Sequence, residues 1–352
     1  MKKITINLTD DNYDIYIGDC LSNLNKFIKL SDNLLIITDE NVKRLYLDKL
    51  VKKINNYQVF IMGNKPENNK NLLTYEACVK FALDNYFDRH LTVLAFGGGA
   101  VTDFAGFFAS TYKRGVKLIN IPTTLLAHDS AVGGKTALNV GTLKNVIGTF
   151  YQPQAVLYHL PLLRTLPYNE VLSGFGEIIK HDLLADGYLL NEVFSAYNSL
   201  DKLLFDDEVL EEIIYRAILV KKLYVEMDVY DELGRRQYLN LGHTLGHALE
   251  ITTGLTHGEA ISFGICFALF LSDNHYYKTL SQTLIKWGYF RNIVLNNGEI
   301  LARIKNDKKN HTDKLVFIGL KSFGNPEVIY LSVTEFKERL KAFQEYFYEI
   351  TR

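Results

Sequence analysis

The side chains best suited to chemistry in this chain lie in one histidine-rich segment. His243, His247 and His257 fall within fifteen residues, although the chain has only nine histidines in 352 residues. A helix would place His243 and His247 on one face, and neutral imidazole is the most common metal ligand in proteins. Hydrogen-bonded helix histidines without a metal are the alternative. Gly242 and Gly246 precede the two histidines, and such glycines indicate close approach of a ligand or another backbone. We therefore predict a metal site, with His243 and His247 as the ligand pair by spacing alone.

Two turns that follow apolar runs could bind a nucleotide. Residues 97–99 are three glycines, and a strand followed by a glycine turn and a helix brings backbone amides against a phosphate. The string lacks GxGxxG spacing, so a tight turn without a ligand is an equal alternative. Asp39 follows another apolar run, where its carboxylate could bind ribose hydroxyls or simply cap a helix.

Other polar residues could bind an anion or a metal. Lys135 follows two glycines, so its ammonium group and the backbone could contact one anion together; a solvated loop is the alternative. Glu177 and Lys180 are three residues apart on a predicted helix, either as an exposed ion pair or as a metal-ligating carboxylate beside a substrate-directed lysine. Arg236 lies four residues before Asn240, so a continuing helix would align both with the histidines. A guanidinium group suits carboxylate recognition, and a surface arginine is the alternative.

Length and composition limit the function. A chain of 352 residues exceeds the usual size of a single core, so two domains are expected. A formal net charge of −1 argues against nucleic acid or an anionic membrane as the main partner. Cys20, Cys78 and Cys266 are scattered, as in a reducing cytosol. The N-terminus has no signal core, and the longest apolar run, residues 260–271, is too short to span a bilayer. We expect a soluble, cytoplasmic protein.

The pattern of elements changes near residue 160. Before it, short apolar runs alternate with helical stretches, which predicts an open, mostly parallel sheet with ligands at the carboxyl ends of its strands. These runs are residues 34–37, 59–62, 91–96 and 117–121. After it, helical periodicity dominates, and only residues 315–320 and 328–331 read as strands. We predict a Rossmann-like α/β nucleotide-binding domain at 1–160 and a mainly α-helical, metal- and substrate-binding domain at 161–352.

Taken together and in this order, the motifs resemble the 3-dehydroquinate synthase family of sugar-phosphate cyclases. The resemblance covers nearly the whole chain. Its most specific blocks are GGGAVTDFAGFFASTYKRG (97–115), IPTTLLAHDSAVGGKTALN (121–139), KNVIGTFYQP (144–153), TLPYNEVLSGFGEIIKH (165–181), LNLGHTLGHALE (239–250) and HGEA (257–260). So many blocks in one order make a chance match very unlikely.

The resemblance implies an activity and its cofactors. The family converts 3-deoxy-D-arabino-heptulosonate 7-phosphate into 3-dehydroquinate and phosphate in the shikimate pathway of aromatic amino acid biosynthesis. It uses NAD, which is reduced and then reoxidised within one turnover, and a divalent metal, Zn²⁺ or Co²⁺. Phosphate leaves, and an intramolecular aldol step closes the ring. The enzyme therefore counts as a phosphorus-oxygen lyase, and a homodimer is implied.

The resemblance also assigns residues. The metal ligands become Glu177, His243 and His257, with His247 facing the substrate. The phosphate-binding positions are Lys135, Asn145, Asn240, His247 and one lysine of Asp307-Lys308-Lys309, of which we choose Lys308. The other substrate positions are Arg236 and Lys222 for the carboxylate, Asp129, Lys180 and Glu232 for hydroxyls, and Arg114 from the partner subunit. The cofactor positions are Asp39, Asn41, Glu67, Lys70, Gly98, Gly99, Asp103, Thr123, Thr124, Lys135, Lys144 and Thr165.

Some positions depart from the family pattern, and three other functions remain open. Residues 127–129 are one residue shorter than usual, Pro66 replaces a frequent glycine, and residues 227–230 replace an Asp-Glu pair. A sister cyclase would take glucose 6-phosphate or sedoheptulose 7-phosphate, which lack the carboxylate that Arg236 and Lys222 would bind. A polyol dehydrogenase would release net NADH. A metabolite-binding relative would have lost turnover.

Overall fold

The computed structural model describes residues 1–8, 11–27, 33–52, 54–291, 293–305 and 314–351. The chain forms two compact units: Met1–Leu166 with Leu204–Tyr230, and Pro167–Leu203 with Asp231–Arg352. No helix in the described ranges is long and apolar enough to cross a membrane.

The elements confirm most of the predicted pattern. The strands are β1 (Lys2–Ile6), β2 (Tyr13–Gly18), β3 (Leu34–Thr38), β4 (Tyr57–Ile61), β5 (Thr92–Gly97), β6 (Lys117–Pro122), β7 (Lys135–Val140), β8 (Leu143–Phe150), β9 (Ala155–His159), β10 (Lys314–Ser322) and β11 (Asn325–Ser332). The helices are α1 (Leu24–Phe27), α2 (Glu40–Val42), α3 (Asp48–Val51), α4 (Pro66–Asn69), α5 (Leu72–Asp84), α6 (Gly99–Thr111), α7 (Ala127–Ser130), α8 (Tyr168–Leu184), α9 (Tyr188–Ala196), α10 (Asp207–Met227), α11 (His243–Thr253), α12 (His257–Leu271), α13 (Tyr276–Lys286), α14 (Asn297–Lys305) and α15 (Val333–Thr351).

The first unit is built on a seven-stranded sheet in the order β1-β2-β9-β6-β5-β3-β4. Only β1 and β2 pair antiparallel; the other pairs are parallel, which confirms the predicted α/β sheet. Strand β3 is buried throughout because core lies on both faces of the sheet. Leu35 and Ile37 pack into one core cluster, and Leu34 and Ile36 pack into the other. The parallel arrangement brings the carboxyl ends of β3, β5 and β6 to one edge.

The second unit is mainly helical, as predicted, and is organised around α12. This helix is buried on nearly all sides, which explains its continuous apolar sequence. Helices α8 and α11 pack against it, and β10 and β11 form an antiparallel pair. Aromatic rings fill the adjoining core, where Phe263 and Phe267 each contact Phe343 edge to face.

The structure adds one element and corrects one prediction. Residues 135–150 form the β7–β8 antiparallel hairpin, which we did not predict; the expected glycine turn precedes it, with φ values of 96° at Gly133 and 69° at Gly134. Strand β8 is exposed over most of its length, so it lacks the apolar alternation that signals a strand. The expected continuous helix from Arg236 into the histidines is also interrupted. A 3-10 helix, Arg235–Asn240, ends before α11, and Gly242 separates the two with a left-handed φ of 80°.

The compact units differ from the predicted domains. Residues 204–230, which include α10, cluster with the first unit, as do residues 161–166. A compact unit of the folded chain need not fold independently. The predicted domain boundary at residue 160 therefore stays a prediction.

Candidate active site

The carboxyl edge of the sheet brings together three segments that we predicted to bind a nucleotide. Asp39 follows β3, the glycine turn follows β5, and Thr123 follows β6. The Thr123 amide donates to the carbonyl of Gly97, 3.0 Å away, which ties two of these turns together. A Cβ at Gly98 would lie 2.9 Å from the Thr124 side chain, so this approach needs glycine. The glycine turn starts α6, and the amides of a helix start suit a phosphate.

Asp39 caps helix α2. Its carboxylate accepts hydrogen bonds from the amides of Asn41 and Val42, at 2.8 and 3.0 Å. Asp39 is 6% exposed, and burial raises the pKa of its carboxyl above the ordinary value, although the two amide hydrogen bonds oppose the shift. The helix-cap alternative is therefore confirmed, and a contact with ribose stays a prediction.

A buried lysine connects three other predicted site residues in the first unit. Lys70 is 2% exposed, and its Nζ lies 2.8 Å from Asp103 Oδ2, 2.7 Å from Asn145 Oδ1 and 3.5 Å from Glu67 Oε2. Burial raises the pKa of the Asp103 carboxyl, and the charge of Lys70 opposes that shift. Lys70, Asp103, Asn145 and Glu67 therefore form one polar cluster.

The structure assigns the contact with Asp129 to a lysine that sequence reasoning missed. Lys221 is 7% exposed, and its Nζ lies 3.1 Å from Asp129 Oδ2 and also contacts the Asp129 carbonyl. Lys222, which the resemblance assigns to the substrate carboxylate, pairs with Glu226 at 3.6 Å. Successive helix residues lie about 100° apart, so a shift of one residue changes the face completely. Val225, one turn after Lys221, is also buried, so Lys221 lies on the buried face of α10, and the apolar residue four positions later is the sequence signal that could have identified it.

The remaining predicted residues of the first unit lie near its surface. Lys135 starts β7, and Lys144 lies in β8; both are exposed. Thr165 Oγ1 contacts the Tyr46 hydroxyl. Arg114 is exposed with a left-handed φ of 70°. The predicted Lys308 lies outside the described residues.

The second unit brings a carboxylate and two imidazoles together. The Glu177 Oε1 atom lies 3.5 Å from His243 Nε2 and 3.3 Å from His257 Nε2. One ligand atom from each residue lies within 4.8 Å of the other two, so the three could hold one metal ion. Glu177 is 1% exposed, and Lys180 Nζ contacts its second oxygen.

Both imidazoles are oriented through their second ring nitrogen. His243 Nδ1 lies 3.1 Å from the Leu241 carbonyl, and His257 Nδ1 lies 3.0 Å from Glu250 Oε2. Both rings therefore direct Nε2 toward Glu177. In metal-ligating histidines, too, the second ring nitrogen is usually held by a hydrogen bond of this kind. Burial lowers the pKa of His243 well below its ordinary value. Burial also acts to lower the pKa of His257, but its hydrogen bonds to Glu177 and Glu250 outweigh burial and raise it to about 9.

Glycines beside Glu177, His243 and His257 allow the three helices that carry these residues to meet. Gly258, next to His257, packs so closely on α8 that a Cβ there would lie 1.7 Å from the Ser173 carbonyl oxygen. A Cβ at Gly246 would lie 3.0 Å from the Cα of Ile261 in α12. The glycines before the histidines therefore allow the backbones of neighbouring helices to approach closely, which is one of the two roles that we predicted for them. A capping box from Thr256 further fixes the start of α12.

The other predicted residues of the second unit surround or flank this cluster. The exposed His247 has its ring centroid 5.1 Å from that of His243 and 5.9 Å from that of His257. Arg236 is 4% exposed, whereas Glu232 is exposed. Asn240 ends the 3-10 helix and donates to the Gln237 carbonyl, 3.1 Å away. Spacing alone paired His243 with His247, whereas the structure groups His243 with Glu177 and His257.

The fold and this site define a sugar-phosphate cyclase. A crystal structure of 2-deoxy-scyllo-inosose synthase, complexed with carbaglucose-6-phosphate, NAD⁺ and Co²⁺, is similar with a TM-score of 0.87 and 25% identity, covering 97% of this chain and 99% of that one. Within this class, the chain belongs to the 3-dehydroquinate synthase family. Residues 60–173 match the family's N-terminal region, and residues 174–310 match its C-terminal region.

Two curated relatives agree with this assignment. The 3-dehydroquinate synthase of Bacillus cytotoxicus is 38% identical over 363 residues, covering 98% of this chain and 97% of that protein. The 3-dehydroquinate synthase of Bacillus cereus is also 38% identical, over 361 residues, and the alignment covers 98% of this chain and 99% of the relative. The similarity therefore extends over both compact units.

Proposed function

We propose that this protein is a 3-dehydroquinate synthase, a phosphorus-oxygen lyase that converts 3-deoxy-D-arabino-heptulosonate 7-phosphate into 3-dehydroquinate and phosphate. The observation that carries the proposal is the group of Glu177, His243 and His257, in a chain that belongs to this family over nearly its whole length. The cofactors are NAD and a divalent metal, Zn²⁺ or Co²⁺.

The donor set fits such a metal. One carboxylate oxygen and two imidazole nitrogens suit Zn²⁺ or Co²⁺, and three protein ligands leave a position open for substrate oxygens. The Glu250 and Leu241 oxygens fix the two histidine rings, so little reorganisation would precede binding. When bound, the metal supplies a Lewis acid beside the substrate hydroxyls. Lys180, in contact with Glu177, would hold a positive charge at the same place.

The carboxyl edge of the sheet fits a dinucleotide. The glycine turn at the start of α6 presents amides to a pyrophosphate, and Asp39 at the end of β3 would contact ribose. The similar 2-deoxy-scyllo-inosose synthase was crystallised with NAD⁺. When bound, NAD supplies a reversible hydride acceptor. The buried cluster around Lys70 would hold the neighbouring residues in place.

Basic side chains would bind the two anionic groups of the substrate. We assign Lys135, Asn145, Asn240 and His247 to the phosphate, and Arg236 to the carboxylate. Arg236 is 4% exposed, so its guanidinium is positioned before substrate arrives, and fixed charge is the main source of stabilisation in such sites. Asp129, with Lys221 held against it, would contact substrate hydroxyls.

The sister cyclases are the second candidate, because the similar solved structure is a 2-deoxy-scyllo-inosose synthase with a hexose phosphate analogue. Higher identity to the 3-dehydroquinate synthases favours the carboxylated substrate.

We also propose a cytoplasmic homodimer. Arg114 is exposed in a left-handed conformation that a non-glycine residue rarely adopts, and a partner subunit's substrate would give it an anion to bind. Light scattering at several protein concentrations would give the mass. Mixing Arg114→Ala subunits with Glu177→Gln subunits tests whether the site is shared. If it is shared, one of the two sites in a heterodimer has both native residues and should be active. Inactive heterodimers would contradict shared sites.

One assay tests the activity. The metal-loaded protein is incubated with the heptulosonate phosphate and catalytic NAD, and phosphate release is followed with and without a chelator. We expect release that the chelator abolishes, no accumulation of NADH, and no turnover of glucose 6-phosphate. Glu177→Gln should be inactive, while the exposed Glu338→Gln serves as a charge-matched control. Absence of phosphate release, or steady accumulation of NADH, would contradict the proposal.

A further inference from the structure

We propose that Asn139 is a positioning residue that fastens the segment bearing Glu67 and Lys70 to the β7–β8 hairpin bearing Asn145. The inference rests on the proposed function, in which Glu67 and Lys70 belong to the NAD site and Asn145 to the phosphate site. Asn139 would therefore connect cofactor binding to substrate binding without touching either ligand.

The backbone of β7 is irregular where Asn139 lies. The strand pairs regularly with β8 up to Leu138, and its register then shifts before Val140. Asn139 falls at this shift and instead pairs with Asn71 in an isolated parallel bridge. Its amide donates to the Lys70 carbonyl, 2.7 Å away. An irregularity of this kind turns a residue away from its own ladder toward another element.

The Asn139 side chain joins the two segments. Its Oδ1 accepts a hydrogen bond from the Asn145 amide at 2.9 Å. Its Nδ2 donates to the Glu67 carbonyl at 3.0 Å and to Glu67 Oε1 at 2.9 Å. One carboxamide thus uses its acceptor toward the hairpin and both donors toward the start of α4, which neither a carboxylate nor an alkyl side chain can do.

Two of the residues held by Asn139 depend on such support. Asn145 has a left-handed φ of 56°, and its amide is held by the Asn139 oxygen. The Asn145 carboxamide oxygen in turn accepts from Lys70 Nζ. The ammonium group of Lys70, although buried, is thereby directed between Asp103 and Asn145. Loss of Asn139 would release both ends of this arrangement.

Two substitutions separate the contact of Asn139 with Asn145 from its contacts with Glu67. Asn139→Ala removes every side-chain hydrogen bond. Asn139→Asp keeps the acceptor for the Asn145 amide, but it loses both donors to Glu67 and places a second carboxylate beside Glu67 Oε1. We therefore expect Asn139→Ala to weaken both NAD and substrate binding, and Asn139→Asp to weaken NAD binding alone.

The experiment measures the NAD dissociation constant by calorimetry on the metal-loaded protein, and the KM for the heptulosonate phosphate at saturating NAD. In Asn139→Ala we expect both constants to rise by about tenfold, as loss of two or three hydrogen bonds implies. In Asn139→Asp we expect that rise for NAD only, with the substrate KM within about twofold of wild type. Equal changes in both constants for both variants would overturn the proposal, as would unchanged NAD binding.

The neighbouring Val140→Ala, 40% exposed in the same strand, is the control and should leave both constants unchanged. A general loss of fold would lower the melting temperature and the active fraction. It would not raise the NAD dissociation constant while leaving the substrate KM unchanged. If Asn139→Ala does not fold, the conservative Asn139→Asp still tests the proposal, because only its NAD dissociation constant should rise. Wild-type protein that binds no NAD would overturn the proposed function, and with it this inference. Wild-type binding with unaltered variants would overturn the inference alone.

Discussion

Gly176 of α8 and Gly258 of α12 meet so closely that a Cβ on Gly176 would lie 2.2 Å from the carbonyl oxygen of Gly258. Each glycine is the immediate neighbour of a residue of the proposed metal site, Glu177 and His257 respectively. The distance between the two helices therefore determines the distance between carboxylate and imidazole. Helix packing and the proposed metal site depend on the same two positions.

Gly176→Ala should damage both packing and metal binding. The added methyl group meets backbone, which cannot rotate away, so we expect a loss of about 2 kcal/mol in unfolding free energy despite the better helix propensity of alanine. The metal dissociation constant should also rise as the helices separate. Urea denaturation and chelator competition measure the two effects. Gly298→Ala is the control, since the nearest atom to its Cβ, Asn296 Oδ1, lies 3.4 Å away. Equal stability of the two variants would contradict this account.

Glu250→Gln should weaken metal binding without unfolding the protein. The Glu250 carboxylate accepts from His257 Nδ1 and so directs Nε2 toward Glu177. The amide is nearly isosteric but offers a weaker acceptor, and loss of such an outer partner usually costs about 10–100-fold in metal affinity. Competition with a chromogenic chelator gives the dissociation constant, and the visible spectrum of the Co²⁺ form reports ligand geometry. Glu338→Gln controls for the charge. Unchanged affinity and spectrum would show that Glu250 does not orient the ligand.

The sequence predicts the sheet well because buried parallel strands are apolar on both faces. Residues 34–37 and 91–96 read as short apolar runs, and both form strands that are buried along their length. The β7–β8 hairpin was not predicted, because β8 is exposed over most of its length and its apolar residues do not alternate with polar ones, although β7 is buried at residues 136–138. A hydrophobic pattern cannot reveal such a hairpin.

The candidate site was only partly predictable from the residues themselves. The i, i+4 spacing pairs His243 with His247, because helical spacing contains no information on what a second helix contributes. The structure brings Glu177 and His257 to His243 from two other helices. Glu250 was missed for the same reason. Its partner, His257, lies on the next helix, beyond the reach of local periodicity.

The three cysteines should be unreactive in the folded protein. Cys20, Cys78 and Cys266 are at most 1% exposed, and burial raises the pKa of each thiol, that of Cys20 to about 12 from 9.0. An aromatic disulfide reagent at pH 8 should titrate three thiols in denaturant and none rapidly without it. The raised pKa values also favour the folded state below about pH 9, and this contribution is lost as pH rises toward 12, since the unfolded thiols ionise first. A thiol that reacts rapidly in the native protein would contradict the burial.

The adjacent lysines of α10 provide a matched pair of variants. Lys221 is buried against Asp129, whereas Lys222 pairs with Glu226 near the surface. Lys221→Met removes the cation from a partly buried carboxylate, so we expect a loss of about 3 kcal/mol in stability and a large fall in kcat/KM. Lys222→Met removes a surface pair worth about 0–1 kcal/mol and should alter both little. Urea denaturation and steady-state kinetics on the two variants measure these effects side by side. If Lys222→Met lowered kcat/KM more than Lys221→Met, Lys222 would be the lysine that acts on the substrate, as the family resemblance assigned.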